Sequence, residues 1–465
     1  MSNFAELKKG AAHAGVLEGY HKQQVSNDDS WWYINVKYTD YLPFHFSIKR
    51  PDSNGDNGGE VLHLSFTNAP ITSESLTKEW VNAFIELRKL LYGYVYGDVN
   101  WHNCPAPELF DDSLDKLQRL INMYDDYSTS IPYSDGAIDG VCISIENALN
   151  RYGAGTMTGS GADAIRKLLD QVRTHRRFLR DFLLILRARL SSEQQIWAAV
   201  QRDFDQTIAN AANAFRNYQY SQEISLSSIG NFVNLAGILT TAANPPIGMF
   251  LSALGTSLTL LIDAGSIPPV VGHASSVNEI LLGLKSVLTG GGVDNPSDDC
   301  LFSVVRQRES AVKSQLMDDY DTADAGEVAD NGHLVSFRLN TPLEIGKDKS
   351  CRPSIDIDCF STILKLIPDL ATHMDQAASR LDSVVCSETA WKRAPSLGYD
   401  NPEDPSTGAY KAWANLGTKI HTYITEGSET INGFVQNLKI YFDDHQRLQE
   451  STSDKLRQCK VSFDS

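Results

Sequence analysis

Apolar and polar positions alternate along residues 30–67. Trp32, Ile34, Val36 and Tyr38 share one parity, and Phe44, Phe46 and Ile48 resume it. A turn-rich stretch, PDSNGDNGGE from Pro51 to Glu60, separates them from Leu62, Leu64 and Phe66. A period of two with such punctuation predicts a small β-hairpin near the N-terminus, with one apolar face.

Beyond it the period lengthens to three and four, the spacing of amphipathic helices. Thr72 or Ser73 can cap a helix carrying Leu76, Trp80, Phe84, Leu87 and Leu91 on one face. A second helix runs from about Pro107 to Tyr124, with Leu109, Leu114, Leu117, Leu120 and Ile121 inward. The most regular stretch is Gly161 to Tyr220. Ile165, Leu168, Val172, Leu179, Phe182, Leu186, Leu190, Trp197, Val200, Phe204, Ile208, Ala211 and Phe215 hold one stripe in register. It reads as one helix, roughly 90 Å long at about 1.5 Å per residue, or as two broken near Ser191–Ser192. Long partners are needed to bury such a stripe. They are expected at Val277–Leu288, Cys300–Tyr320, Ile355–Trp391 and Gly408–Leu456. Linkers are expected at Gly290–Asp299, in the acidic run Asp318–Gly332, and at Arg393–Gly408. The fold class is therefore mainly α, an elongated bundle of long helices.

One segment breaks the amphipathic rule. Ile224 to Ile262 carries no charged residue. Two apolar arms, ISLSSIGNFVNLAGILTTAA and IGMFLSALGTSLTLLI, flank Asn244-Pro245-Pro246, and adjacent prolines enforce a bend. A spanning helix needs about 20 apolar residues, close to the length of each arm. Ser, Thr, Asn and Gly recur throughout, which suits close helix packing or a water-facing surface. Two readings stand side by side: the most buried hairpin of a soluble domain, and a hairpin stored in solution and inserted later into a bilayer. A permanent anchor loses, because the flanks lack the Lys/Arg clusters that fix topology. Insertion gains from the Gly and Ser density, since each Gly costs about 1 kcal/mol in a helix interior relative to Ala, and from the hairpin's place at one end of a rod. The residues expected to insert are Ile229, Phe232, Val233, Leu235, Ile238, Leu239, Pro245, Pro246, Ile247, Met249, Phe250, Leu251, Leu254, Leu258 and Leu261. The organisation that follows is an N-terminal β-hairpin segment (1–70), a first bundle half (71–223), an apolar head hairpin (224–275) and a second bundle half (276–465).

Composition narrows the partners. The net charge of −17 disfavours wholesale binding to nucleic acid or to anionic lipid, because the long-range field repels phosphate. Hydrophobic content of 42% and charged content of 21% fit a globular chain. The seven cysteines form no CxxC, which supports neither a zinc ribbon nor a redox motif. Their low density suits reducing conditions, with a local Cys351–Cys359 bridge left open. Residues 1–19 lack a basic region followed by an apolar run, so no cleavable signal is expected. The expectation is a chain made in the cytoplasm, released by another route and then associated with a target membrane.

The layout, a long helix before an apolar hairpin with long helices returning after it, resembles the α-helical pore-forming toxins of the cytolysin A and hemolysin BL type. The segment Ile367 to Trp391 (IPDLATHMDQAASRLDSVVCSETAW) and the helix after it are most similar to the A component of the xenorhabdolysin toxins. Residues 70–460 take part. The resemblance implies a bundle tail, a head hairpin that swings onto a target membrane, and assembly as a homo-oligomer or with a second component. A non-enzymatic helical-bundle effector or interaction protein is the alternative; the region Thr158–Phe204 is faintly similar to substrates of type VII secretion.

Other candidate chemistry is thin. GAGTMTGSG before the long helix lacks the Lys-Ser/Thr pair of a phosphate loop. No HExxH, no metal-ligand spacing and no GxSxG occurs, so no enzyme and no cofactor are expected. His102 and Cys104 read as loop residues, and the Asp318–Asp330 run as a solvated linker. His175, Arg176, Arg177 and Arg180 read as a solvated face, or as a contact to lipid headgroups or an acidic partner. Trp31, Trp32, Tyr33 and Tyr38 read as strand core or as a receptor or membrane contact.

Overall fold

In the computed structural model, the described residues are 106–127, 137–150, 159–219, 222–230, 272–289, 300–330, 333–336, 338–339, 357–385, 391 and 408–463. To these are added four strands between residues 25 and 66 and five helical positions between 6 and 14. The fold is mainly helical. Strands β1 (Val25–Asn27), β2 (Trp31–Thr39), β3 (Leu42–Lys49) and β4 (Val61–Phe66) pair antiparallel in chain order. The predicted hairpin is thus a four-stranded meander, to which β1 adds an edge. Its register aligns Ile34 with Phe46 and Phe46 with Leu64, so the apolar parity read in the sequence runs across three strands. The side chains of Trp31, Trp32, Tyr33 and Tyr38, the helix expected from Thr72, and His102 and Cys104 lie outside the described residues.

Among the described residues seven helices follow: α1 (Asp111–Tyr124), α2 (Ala137–Asn150), α3 (Ser160–Arg216), α4 (Val277–Thr289), α5 (Leu301–Ala325), α6 (Ile357–Val385) and α7 (Tyr410–Phe463). α3 is the axis. Every residue of its predicted stripe, from Ile165 to Phe215, is buried. It packs on α1, α2, α4, α5 and α7. It does not break at Ser191–Ser192: the buried Ser192 hydroxyl donates to the Ala188 carbonyl at 2.8 Å, satisfying itself inside the helix. At 57 residues α3 is about 85 Å long.

The other helices run alongside. α6 and α7 form an antiparallel pair: Val385 meets Gly417 at one end, and Phe360 stacks on Phe442 at the other, with ring centroids 4.6 Å apart. α7 is antiparallel to α3, since the Trp413 indole N–H donates to Leu186 O while Gly161 sits against the Tyr441 ring. Trp391, Tyr410 and Trp413 cluster with Phe110 where α6 turns towards α7. The buried side chains of both bundle halves form one continuous core.

Three expectations need correction. Leu109 lies in a 3-10 turn, Pro107–Phe110, and is 43% exposed; the tighter turn points Phe110 inward instead. The acidic run is not a linker. Asp318 to Asp324 are the last turns of α5, ended by Gly326 at φ +72°, and a hairpin of β7 (Glu327–Asp330) and β8 (His333–Ser336) follows. Asp319 is buried on Arg189, and Asp324 accepts from Lys419, so these carboxylates serve packing. The basic cluster on α3 is likewise not a solvated face. Arg176 and His175 are buried, Arg180 is largely so, and only Arg177 is exposed. Their acidic partners lie within the chain, on α2 and in the residues that follow α1. Arg176 donates to the Tyr124 carbonyl at 2.7 Å and pairs with Asp126 and Asp139, while Arg180 pairs with Asp125.

Candidate functional site: the neck of the apolar segment

Near the C-terminal end of α3 lie the two ends of the head region, residues 224–275, which contains the uncharged segment. β5 (Ile224–Ser225) pairs antiparallel with β6 (His273–Ala274), matching Ile224 to Ala274 and Ser225 to His273. Paired Cα atoms across such a bridge lie about 5 Å apart. The ladder extends one step further, as Leu226 N–H donates to Gly272 O at 2.9 Å. The chain therefore leaves this point after residue 226 and returns to it at residue 272.

Small residues allow this closeness. Gly272 has φ +148°, a conformation side chains rarely adopt, and a Cβ there would lie 3.0 Å from Leu226 Cδ1. A Cβ at Gly283 on α4 would lie 2.4 Å from Leu226 Cδ2. Leu226 thus fills a notch cut by two glycines of the returning chain, Gly272 before β6 and Gly283 on α4. The next residues turn in a short 3-10 element, Leu226–Ser228, and deliver Ile229 into the core with no exposed surface.

The neck is tied to α3 and to the residues just after it. Asn210 donates its side-chain amide to Ile229 O at 3.4 Å, and the Tyr218 hydroxyl donates to Ser275 O at 3.3 Å. The returning strand is locked into α4 by a cap. Glu279 N–H donates to Ser276 Oγ at 3.2 Å, and Glu279 Oε2 accepts from Ser275 N–H at 2.6 Å and from its hydroxyl at 2.9 Å. This is a capping box with the reciprocal bond displaced by one residue. The Ser275 amide holds the Glu279 carboxyl below the usual glutamate range.

Of the residues expected to insert, Ile229 is the one the structure describes, and it sits as a buried anchor at the neck. Phe232, Val233, Leu235, Ile238, Leu239, Pro245, Pro246, Ile247, Met249, Phe250, Leu251, Leu254, Leu258 and Leu261 lie outside the described residues. Among the described residues no helix is long and apolar enough to cross a membrane. None of the described His, Cys, Asp or Glu side chains group into a metal-holding cluster. The Cys142 thiol is buried and pushed up to about 12 by desolvation, far from the range of a reactive cysteine. Cys359 is buried against the Ala148 carbonyl, and Cys351 lies outside the described residues.

The sequence reading missed the neck. Ser276-Val277-Asn278-Glu279 carries a Ser-x-x-Glu signature that marks the start of α4. A two-residue bridge closed across some fifty positions has no local signal. No family model, curated protein or solved structure matches the chain.

Proposed function

We propose that the chain is a pore-forming protomer that places its uncharged segment in a target bilayer and oligomerises there, alone or with a second component. The observation that supports this reading is the neck. Residues 224–225 and 273–274 meet beside the end of α3, so the chain between them leaves and rejoins the bundle at one point. Transfer to lipid keeps the apolar arms out of water, at about 25 cal/mol per Å² of apolar surface. The recurring Ser, Thr and Asn side chains would then face neighbouring helices or a water-filled lumen.

The alternative is a non-enzymatic effector or interaction protein that never enters a membrane. Ile229 favours it, because the first apolar arm begins inside the bundle core. Dye release from liposomes by the purified chain, with and without candidate partner proteins, separates the two. Insertion predicts leakage that Leu251→Asp or Leu258→Asp abolishes while the far-ultraviolet spectrum and melting temperature stay those of the parent. If both variants unfold instead, the segment is ordinary core and the pore reading falls.

A further inference from the structure

At the end of the molecule opposite the neck, α7 presents a run of exposed side chains, residues 443, 444, 446–448 and 450–455. Leu438 is the last buried position on α7 among its described side chains. Tyr441 and Phe442 touch Gly161 and Phe360, and from there α7 runs on to Phe463. Asp443, Asp444, Gln446, Arg447, Leu448 and Glu450 to Lys455 are exposed, and Leu448 is 62% exposed. A lone helix of some 20 residues rich in Ser, Thr and Asp is marginal in water.

The sequence of this extension has a symmetry. His445, Leu448, Thr452, Leu456 and Cys459 fall at steps of three and four along one face, and the series reads the same from either end with Thr452 at its centre. Two copies laid antiparallel therefore match Leu448 to Leu456 and Thr452 to Thr452. Charge selects the same arrangement. Asp444 and Lys455 occupy one shoulder of this face, and Gln449 and Lys460 the other. Antiparallel helices bring like shoulders together, which sets Asp444 of one copy near Lys455 of the next. Parallel helices bring unlike shoulders together, which sets Lys455 near Lys460 and repels. A chain of net charge −17 resists its own copies over most of its surface. In this stretch acidic and basic residues balance.

We infer that the exposed end of α7 is a self-association surface, on which a second copy of this chain docks antiparallel about Thr452. The contact is small, so dissociation in the micromolar range is expected, as for transient interfaces. It does not depend on membrane insertion, since it lies about 85 Å along α3 from the neck.

The test uses the full chain with Cys459→Ser as background. Light scattering between about 1 and 100 µM should show a monomer–dimer equilibrium. Mild oxidation of a mixture of Leu448→Cys and Leu456→Cys chains should give a mixed dimer, with neither variant linking efficiently to itself. Lys455 has no charged neighbour three or four residues away on its own helix, so Lys455→Glu reads the contact between copies. It should weaken dimerisation about tenfold, and Asp444→Lys added to it should restore the dimer. A chain that stays monomeric at 100 µM overturns the inference. So does efficient self-linking of Leu448→Cys, which requires parallel helices.

Discussion

Removing one partner of the buried Arg189–Asp319 pair should cost the bundle far more than removing both. Arg189 sits mid-α3 with 5% of its side chain exposed, and Asp319 on α5 with 1%. The guanidinium donates Nε–H to Asp319 Oδ2 at 2.9 Å and Nη1–H to Gln315 Oε1 at 2.7 Å. Arg189→Met strands a carboxyl in the core and Asp319→Leu strands a guanidinium. Each should cost about 3–5 kcal/mol, whereas the double variant, with apolar groups of similar volume, should fall within about 1–2 kcal/mol of the parent. Urea denaturation followed by circular dichroism measures all four chains. pH adds a second axis. Burial pushes the Asp319 carboxyl up and outweighs the influence of Arg189, which lowers it. A folded value above the unfolded one means the contribution of Asp319 is fully present below the usual carboxyl range and is lost as pH rises through the folded value. Without Arg189 the value rises further. The deficit of Arg189→Met should therefore shrink between pH 7.5 and pH 5, while that of Asp319→Leu, which leaves a permanently charged Arg, should not. Single variants each costing under about 1 kcal/mol, or a double variant losing the sum of the singles, would refute this reasoning.

Other variants probe the neck and the inward-turned arginines. Gly283→Ala should lower stability by about 1–3 kcal/mol through overpacking on Leu226, and Leu226→Ala in the same chain should recover part of it, as read by thermal melting. Glu279→Ala should cost about 1 kcal/mol and speed amide exchange at residues 273–280. Because the Glu279 value is lowered, its contribution is present above the usual carboxyl range and fades as pH falls through the folded value, so parent and variant should converge in acid. Arg176→Met should cost about 3–5 kcal/mol in the same denaturation assay, since it strands the Tyr124 carbonyl and Asp139 at a buried site. Cys142 should resist alkylation at pH 8 in the folded chain and react once the chain is unfolded in urea.

Much of the bundle was legible because helix periodicity is local. The stripe from Ile165 to Phe215 and the starts of α4 and α5 follow from side-chain spacing and caps within a few residues. Where the reading failed, a partner distant in sequence decides the outcome. Arg176 looks like a surface cation until Asp126 and Asp139 close on it. Asp319 looks like a linker residue until Arg189 meets it across 130 positions. The serines at 191 and 192 look like a break, yet a buried helix between partners continues through them because Ser192 satisfies its own hydroxyl.

By itself the sequence determined the helical class, the apolar stripe of the central run and an uncharged segment between two long amphipathic runs. These are properties of neighbouring residues, whose spacing sets which face is apolar. Tertiary structure alone decided that residues 224 and 274 meet at one place, that the central run is one unbroken helix, that the charged cluster of α3 turns inward, and that α7 outruns the bundle. Each of those depends on which elements come together in space, and the free energy that decides it arises only when distant surfaces exclude water from one another.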